Sequence, residues 1–407
     1  MGSIFAVAIC SLLQCETSFA QTKQIPFDVK LDVIHQELSP KFCWFHPRVA
    51  AIPGQGQDGA PALLVTLQKH LGVSDHYSGV SFMRSDDLGK TWTPPVLPPE
   101  LDWRSGPNDT DIAVADVTPG WHAPSGKLIA VGIKLIYSHK GEQLLSEPRS
   151  HQCTYAIYDP QSNRWTEWKN LETPDTDGKF HLVAPGCVQW HVNDDGSLLI
   201  PMYFNHPPHP YYTSTVMRCR FDGETMTYET HGDEISIPVV RGICEPSLVK
   251  YAGRFYLTLR NDLKGYVTVS DDGLHFAPIK PWTFDDGSDL GSYNTQQHWL
   301  AHSDGLFLAY TRRGADNDHI PRNRAPIFLA QVDSEKLHVI RSTEKPVIPE
   351  RGAMLGNFGA APINEHESWI TDGEYYMGDK PHPRGADGSL FAARIIWSKP
   401  NRLAPKP

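Results

Sequence analysis

From about residue 40 to residue 395 the chain repeats one pattern: a short apolar or alternating run, a tight turn rich in Gly, Asp and Ser, then another such run. "WHAPSGKLIAVGI" (121–133), "WHVNDDGSLLIPMY" (190–203), "VKYAGRFYLTLR" (249–260) and "LAHSDGLFLAYTR" (300–312) are four examples. Each predicts a β-hairpin whose turn lies at the Gly or Asp positions. No amphipathic run of a dozen residues separates them, which argues against βαβ units and leaves a sandwich, a barrel or a propeller. The hairpins recur at intervals of several tens of residues, as four-stranded blades with variable loops would. At roughly 55–65 residues per blade the repeating region accommodates about six. The expectation is an all-β, six-bladed propeller with four-stranded antiparallel blades, formed as a single unit by residues 21–397 with no internal linker.

Composition narrows the partners. The chain has 407 residues, 40% hydrophobic and 21% charged, with 34 Pro and 32 Gly, enough apolar content to bury a large core. A formal net charge of −10 and the absence of a dense basic run argue against nucleic acid or an anionic membrane surface as partner. The apolar run "IFAVAICSLL" (4–13), followed by polar residues and "SFA" ending at Ala20, predicts a secretory signal peptide over residues 1–20 and a secreted or periplasmic protein. The run is too short to be an integral membrane span. The tail 398–407 is Pro-rich and basic and is expected to be flexible. Cleavage would leave five cysteines, Cys43, Cys153, Cys187, Cys219 and Cys244, an odd number with no zinc-motif spacing, so burial is expected. "HPPHP" (206–210) reads first as a loop. No metal or cofactor is expected.

Two stretches share a local design. Ser85-x-Asp87-x-Gly89-x-Thr91-Trp92 returns in shorter form as Ser270, Asp272, Gly273 and Phe276. Ser and Asp side chains can bond to backbone N–H groups of their own turn, Gly accepts a positive φ, and the aromatic packs beneath. These turns resemble the Asp-boxes of sialidase-like propellers, and the chain resembles bacterial-type exo-sialidases in the order of its charged residues. The resemblance runs from Arg48 in "FHPRVAAIP" to "SWITDGEYY". It implies Asp75, ahead of the first turn motif, as acid/base. It implies Glu245 as the second catalytic carboxylate, with Arg260 fifteen residues later, directly ahead of the second turn motif. Arg324 is implied as the third arginine, with Arg312, Arg313 and Arg322 as competitors, and Glu374, or Asp372, as the acid that orients Arg48.

The chemistry of such a set is coherent. Three guanidiniums at one point make a socket for a sugar carboxylate, because each offers planar paired donors and keeps its charge. Glycoside hydrolysis needs a proton donor and a base or nucleophile around an oxocarbenium-like transition state. One departure stands out: where the family has a nucleophilic Tyr, "MLGNFGAAP" supplies Phe358, which cannot attack. Either Tyr375 or Tyr376 serves, or Glu245 activates a water in an inverting route. A lyase or uronate-directed glycosidase on the same propeller, using a His or Tyr as base, is an alternative, as is a glycan-binding propeller without activity. Among the histidines, His151, His191, His298 and His319 sit at expected strand ends. "NTQQHW" (294–299), with Gln297, His298 and Trp299, is expected to grip sugar hydroxyls and stack a ring face. The expected partner is a glycan or acidic oligosaccharide.

Overall fold

The computed structural model describes residues 24–72, 75–145, 149–174, 178–205 and 211–406. The expected leader at 1–20 and the 206–210 loop lie outside the described residues. Six antiparallel sheets are arranged as the blades of a β-propeller, as the hairpin pattern predicts. From the axis outward, blade 1 runs Cys43–Ile52, Ala62–His70 and Ser81–Ser85, with a bridge from Phe82 to Val96 beyond. Blade 2 is built on Asp111–His122, Lys127–Tyr137 and Gln152–Asp159. In blade 3 the inner edge is split into Leu182–Ala184 and His191–Val192, both paired with Leu198–Asn205, followed by Thr213–Phe221 and Met226–His231. Blade 4 runs Cys244–Tyr251, Arg254–Arg260, Tyr266–Ser270 and Lys280–Pro281. Blade 5 runs His298–His302, Gly305–Tyr310, Ile327–Asp333 and His338–Val339.

Blade 6 closes the ring. Its inner strands Gly359–Pro362, Glu367–Gly373 and Ser389–Trp397 come from the end of the chain, and its outermost strand, Phe27–Gln36, comes from the beginning. Phe27 pairs with Trp397 and Gln36 with Ser389, so the first strand clasps the last.

The strands are apolar on both faces because each blade is covered on both sides by its neighbours. Leu63 and Leu64, adjacent and both fully buried, illustrate this: Leu63 packs between blades 6 and 1, Leu64 between blades 1 and 2. Burial of each such side chain stabilises by about 1.5–3 kcal/mol. The core is therefore a set of wedges between blades, plus an aromatic layer of Phe45, Tyr77 and Tyr137 near one end of the axis.

The two similar turns act as fasteners between blades. Ser85 Oγ donates to Asp87 Oδ1 (2.9 Å) and accepts from the Gly89 N–H (2.8 Å), while Asp87 Oδ1 accepts from the Thr91 N–H (2.9 Å). Ser270 and Asp272 repeat this, with the N–H groups of Gly273, Leu274 and His275 as donors. Gly89 (φ 78°) lies so close to Trp369 of blade 6 that an added Cβ would sit 2.4 Å from its ring. Gly273 (φ 79°) is pressed in the same way against Leu199 of blade 3.

Part of the tail is engaged with blade 5 among the described residues. Asn401 is fully buried; its Oδ1 accepts from Ser303 N–H (2.9 Å) and its Nδ2 donates to Ala301 O (2.9 Å). These bonds satisfy polar groups at the edge of blade 5, which is why a Pro-rich segment is held there.

Candidate functional site

The inner strands of blades 1, 2 and 4 share an irregularity near the same end of the axis. Pairing with the next strand breaks between Phe45 and Arg48, between Ala115 and Thr118, and between Cys244 and Ser247. At each break one residue adopts a left-handed backbone: His46 (φ 52°), Asp116 (φ 56°) and Glu245 (φ 44°). Cys187 (φ 57°) in the gap of blade 3, Asn294 (φ 53°) ahead of blade 5's inner strand and Gly356 (φ 98°) ahead of that of blade 6 extend the series. Five of these six are not glycine. Such conformations cost about 1–3 kcal/mol each and cluster where a side chain must be re-aimed.

The three arginines expected at the site are all buried: Arg48 is 1% exposed, Arg260 and Arg324 each 5%. Arg260 forms a close ion pair with Glu245, and its other terminal nitrogen donates to Asn294 Oδ1 (2.8 Å). Arg324 donates from Nε to the backbone oxygen of the same Asn294 (3.1 Å). Arg48 donates to the backbone oxygens of Phe358 (3.4 Å) and Val117 (3.3 Å). Among the described residues, hydrogen-bond geometry leaves Arg48 Nη2, Arg260 Nε and Glu245 Oε2 buried without a partner. Buried unpaired groups of this kind are costly and stand ready for a ligand.

The electrostatics tie these groups together. Burial alone would raise the Glu245 carboxyl, but Arg260, backed by Arg241 and Arg324, holds it below its usual range, so it is ionised. Burial and the neighbouring Arg260 lower Arg324 to about 9. Asp116 is pushed up to about 7 by burial, against the pull of Arg48 and with the repulsion of Glu245 and Asp75. Asp372, also near 7 through burial, accepts the Gly356 N–H (2.7 Å) and lies in the field of Arg48 and Arg324. His46 is held neutral by burial and by Arg48.

Solved structures give the fold a context. The chain is similar to a protein of unknown function from Dyadobacter fermentans, at 14% identity over 91% of this chain and 99% of that one, with a TM-score of 0.61. It is similar to the sialidase of Trypanosoma rangeli in complex with the inhibitor DANA, at 12% identity and TM-score 0.59, over 91% of this chain but only 60% of that one. The phage phi92 endosialidase matches at 12% identity and TM-score 0.58, over 94% of this chain and 71% of that one. The fold is a sialidase-like propeller. No family model and no curated protein matches the chain.

Within this sialidase-like propeller the expected residues divide. Asp75 is exposed, accepts from the Tyr77 hydroxyl (3.1 Å), and lies close enough to act on Asp116, which puts it at the rim of the Arg48 end. The competitors of Arg324 are engaged elsewhere: Arg312 pairs with Glu344 (2.9 Å), Arg313 donates to Leu263 O (2.8 Å), and Arg322 occupies a short exposed turn. Glu374 is a correction. Its Oε2 accepts three backbone N–H groups from Asp387, Gly388 and Ser389, and its other oxygen faces Arg351 (3.6 Å), because the strand ends at Gly373 and the chain turns outward. Of the two acids expected to orient Arg48, Asp372 is the one that lies in its field.

The "NTQQHW" residues are also corrected. Gln297 accepts from Thr258 Oγ1 (2.5 Å), His298 Nδ1 contacts Ser247 Oγ (2.9 Å), and Trp299 donates from Nε1 to Ser247 O (2.9 Å). All three are about 1% exposed and join blade 5 to blade 4 instead of meeting solvent. Asn294 of that stretch hydrogen-bonds to Arg260 and Arg324, and His298, buried behind it, lies in the field of Arg48 and Glu245. His191 lies toward the opposite end of the axis, with its ring edge-on to Phe255, and His319 sits half-exposed beside Glu350 (3.3 Å). Phe358 is fully buried, its ring against His298 and its backbone oxygen on Arg48. Tyr376 donates to Lys380 O (3.1 Å), whereas Tyr375 packs on His70 and Phe45 beneath the rim.

Four residues at the site were not among the expected site residues, namely His46, Asp116, Cys187 and Tyr203, whereas Asp372 was the stated alternative to Glu374. Tyr203 is close to both Glu245 and Asp116, which with burial push its phenol well above the usual value. A signal was present in "FHPR" and "ICEP", where a proline follows a polar residue between apolar ones, consistent with a break in the pairing ladder.

Proposed function

We propose that the chain is an exo-acting glycoside hydrolase that removes a terminal carboxylated sugar, sialic acid or a close relative, from a glycan. The observation that carries this reading is the burial of Arg48, Arg260 and Arg324 at one end of the axis, around an ionised Glu245, with donors left unspent. Guanidiniums buried with open donors suit a planar carboxylate better than any neutral sugar group. In this reading the carboxylate is bound by the arginines, Asp75 at the rim protonates the leaving oxygen, and Glu245 draws a proton from an attacking water as the anomeric bond breaks. Phe358 offers no nucleophile, and the raised phenol of Tyr203 is a poor one, so the water route with inversion is the one supported.

The test uses the purified, folded chain with fluorogenic sialosides and uronides. Release of the fluorophore, lost in Glu245→Gln while the free sugar acid still raises the melting temperature, is the expected result. No release from either class, together with no thermal shift by either sugar acid, would refute the reading. Growth of unsaturated-uronate absorbance on an acidic polysaccharide would assign a lyase instead. Proton NMR of the first-formed product should show the inverted anomer. We also propose export with cleavage after Ala20; N-terminal sequencing of secreted material should begin at Gln21, and protein retained with its leader would refute this.

A further inference from the structure

We propose that His46, Asp116 and Cys187 form a binding site for one divalent cation of the zinc class. These residues come from three consecutive blades, and one donor atom from each lies within 4.8 Å of the other two. His46 Nε2 is 3.1 Å from Asp116 Oδ1 and 4.0 Å from Cys187 Sγ. A tetrahedral zinc with ordinary bond lengths would hold such donors about 3.3–3.6 Å apart. The observed separations bracket that range, and only small side-chain shifts are needed to close on an ion.

Donor chemistry selects the metal. Imidazole nitrogen, carboxylate oxygen and thiolate sulfur together suit zinc or a similar borderline ion, whereas calcium and magnesium require oxygen throughout. Three protein ligands leave a fourth position for water or a ligand group, the arrangement of zinc sites that react and not of those that only brace a fold. Charge is compatible despite the arginines. Burial keeps Cys187 a thiol in the empty site, so an ion binds by displacing its proton to solvent; with the Asp116 carboxylate and the resulting thiolate a dication sums to zero beside Arg48, against which the thiol lies. His46 is neutral, as a ligand must be.

The surroundings fit a ligand set. His46 and Cys187 are each 3% exposed. All three residues hold left-handed backbones that no glycine relieves, and these turn their side chains toward one point. Asn357 lies beside the His46 ring, where its side-chain oxygen is the acceptor on hand for the buried Nδ1–H. A ligating imidazole ordinarily uses its second nitrogen on such a neighbour, which fixes the ring. None of this depends on the glycosidase reading: the site could hold an ion whatever the arginines bind.

The experiment is a cobalt and zinc titration of the full chain after treatment with a chelator. One equivalent of cobalt should give the intense visible bands of a four-coordinate ion and a near-ultraviolet thiolate charge-transfer band, and zinc should displace it. Cys187→Ser should abolish the charge-transfer band, His46→Ala should abolish tight binding, and Asn357→Ala should weaken it about 10–100-fold. Circular dichroism and melting curves establish that each variant is folded, and Cys187→Ser is conservative enough to serve if His46→Ala is not. Folded wild-type protein that takes up less than a tenth of an equivalent of cobalt, a charge-transfer band that survives Cys187→Ser, or displacement by calcium would each overturn the proposal. Because the readout is spectroscopic, its failure is separate from failure of the sialoside assay.

Discussion

The two ends of the propeller axis are lined by the same six inner strands and are unlike in every other respect. At the Arg48 end the inner strands of blades 1, 2 and 4 break register and that of blade 3 is split, left-handed residues stand at or just ahead of all six, and buried charged side chains gather there. At the other end they run in regular register and present Ala50, Gly120, Leu248, Trp299 and Ala361 to a cavity of about 720 Å³, which Leu403, Pro405 and Lys406 of the tail also line. Gln189 lies between the two. It donates to the backbone oxygens of Trp299 and Ala360 (both 2.9 Å) and accepts from the Trp299 N–H (2.6 Å), tying blades 3, 5 and 6 together across the axis. The difference teaches that spacious volume and chemistry need not coincide. A regular strand end leaves room, whereas an irregular one spends stability to aim polar groups inward.

The strongest way to break this comparison is at the buried ion pair. Arg260→Ala leaves Glu245 buried and unpaired, so it should cost about 3–5 kcal/mol in denaturant unfolding and abolish binding of a sugar carboxylate. Unfolding within about 1 kcal/mol of wild type would mean that the pair is far less desolvated than its burial indicates.

Next in size is the partition. Gln189→Ala leaves the Trp299 N–H and two carbonyls short of partners, at about 1–3 kcal/mol for each group that water does not reach. The denaturation midpoint should fall while the slope with denaturant stays unchanged. An unaltered midpoint would show that the two ends are already joined by water.

A smaller effect concerns pH. Asp116 and Asp372 both stand near 7, raised by burial, so each gains negative charge as pH rises through that value. Those charges face Arg48, and in the case of Asp372 also Arg324, and compete with an anionic ligand for them. Affinity for a sugar carboxylate should therefore drop as pH rises from 6 to 8, by about tenfold if the new charges cost 1.4 kcal/mol together. Isothermal titration at the two pH values measures it, and a rise in affinity would contradict the assignment. The same shifts carry a stability sign: the native state holds protons that the unfolded chain releases above about pH 4, so these two groups reduce stability as pH rises through 7.

The smallest expected change lies at the opposite end. Lys250→Ala, on the rim of the wide cavity, should leave turnover within twofold and stability within about 0.5 kcal/mol. A large loss of turnover would move the chemistry to that end.

Much of the architecture was legible because it is local. Tyr251 and Arg254 pair across a two-residue turn of Ala252 and Gly253, and the stretch "VKYAGRFYLTLR" states both strands and turn within twelve residues. The same locality brings Glu245 and Arg260 together: they share one hairpin, and Cys244 pairs directly with Arg260. The sequence was misleading where polarity was satisfied from outside the segment. Gln297 and His298 look like sugar-binding groups until blade 4 supplies Thr258 and Ser247 as their partners. Glu374 and Asp372 share a strand face in the sequence, and only the end of that strand at Gly373 separates them.

What the sequence determined by itself is therefore the alternation of strands and turns, the blades they build, and charged pairs that lie on a single hairpin, since each depends on backbone bonding between near neighbours. What the tertiary structure alone decided is which residues meet across blades. His46, Asp116 and Cys187 are about seventy residues apart in turn, and no local spacing announces them. They converge because the first strand pairs with the last, closing six blades around one axis, and because a break in the ladder near the same height of their inner edges turns each side chain inward.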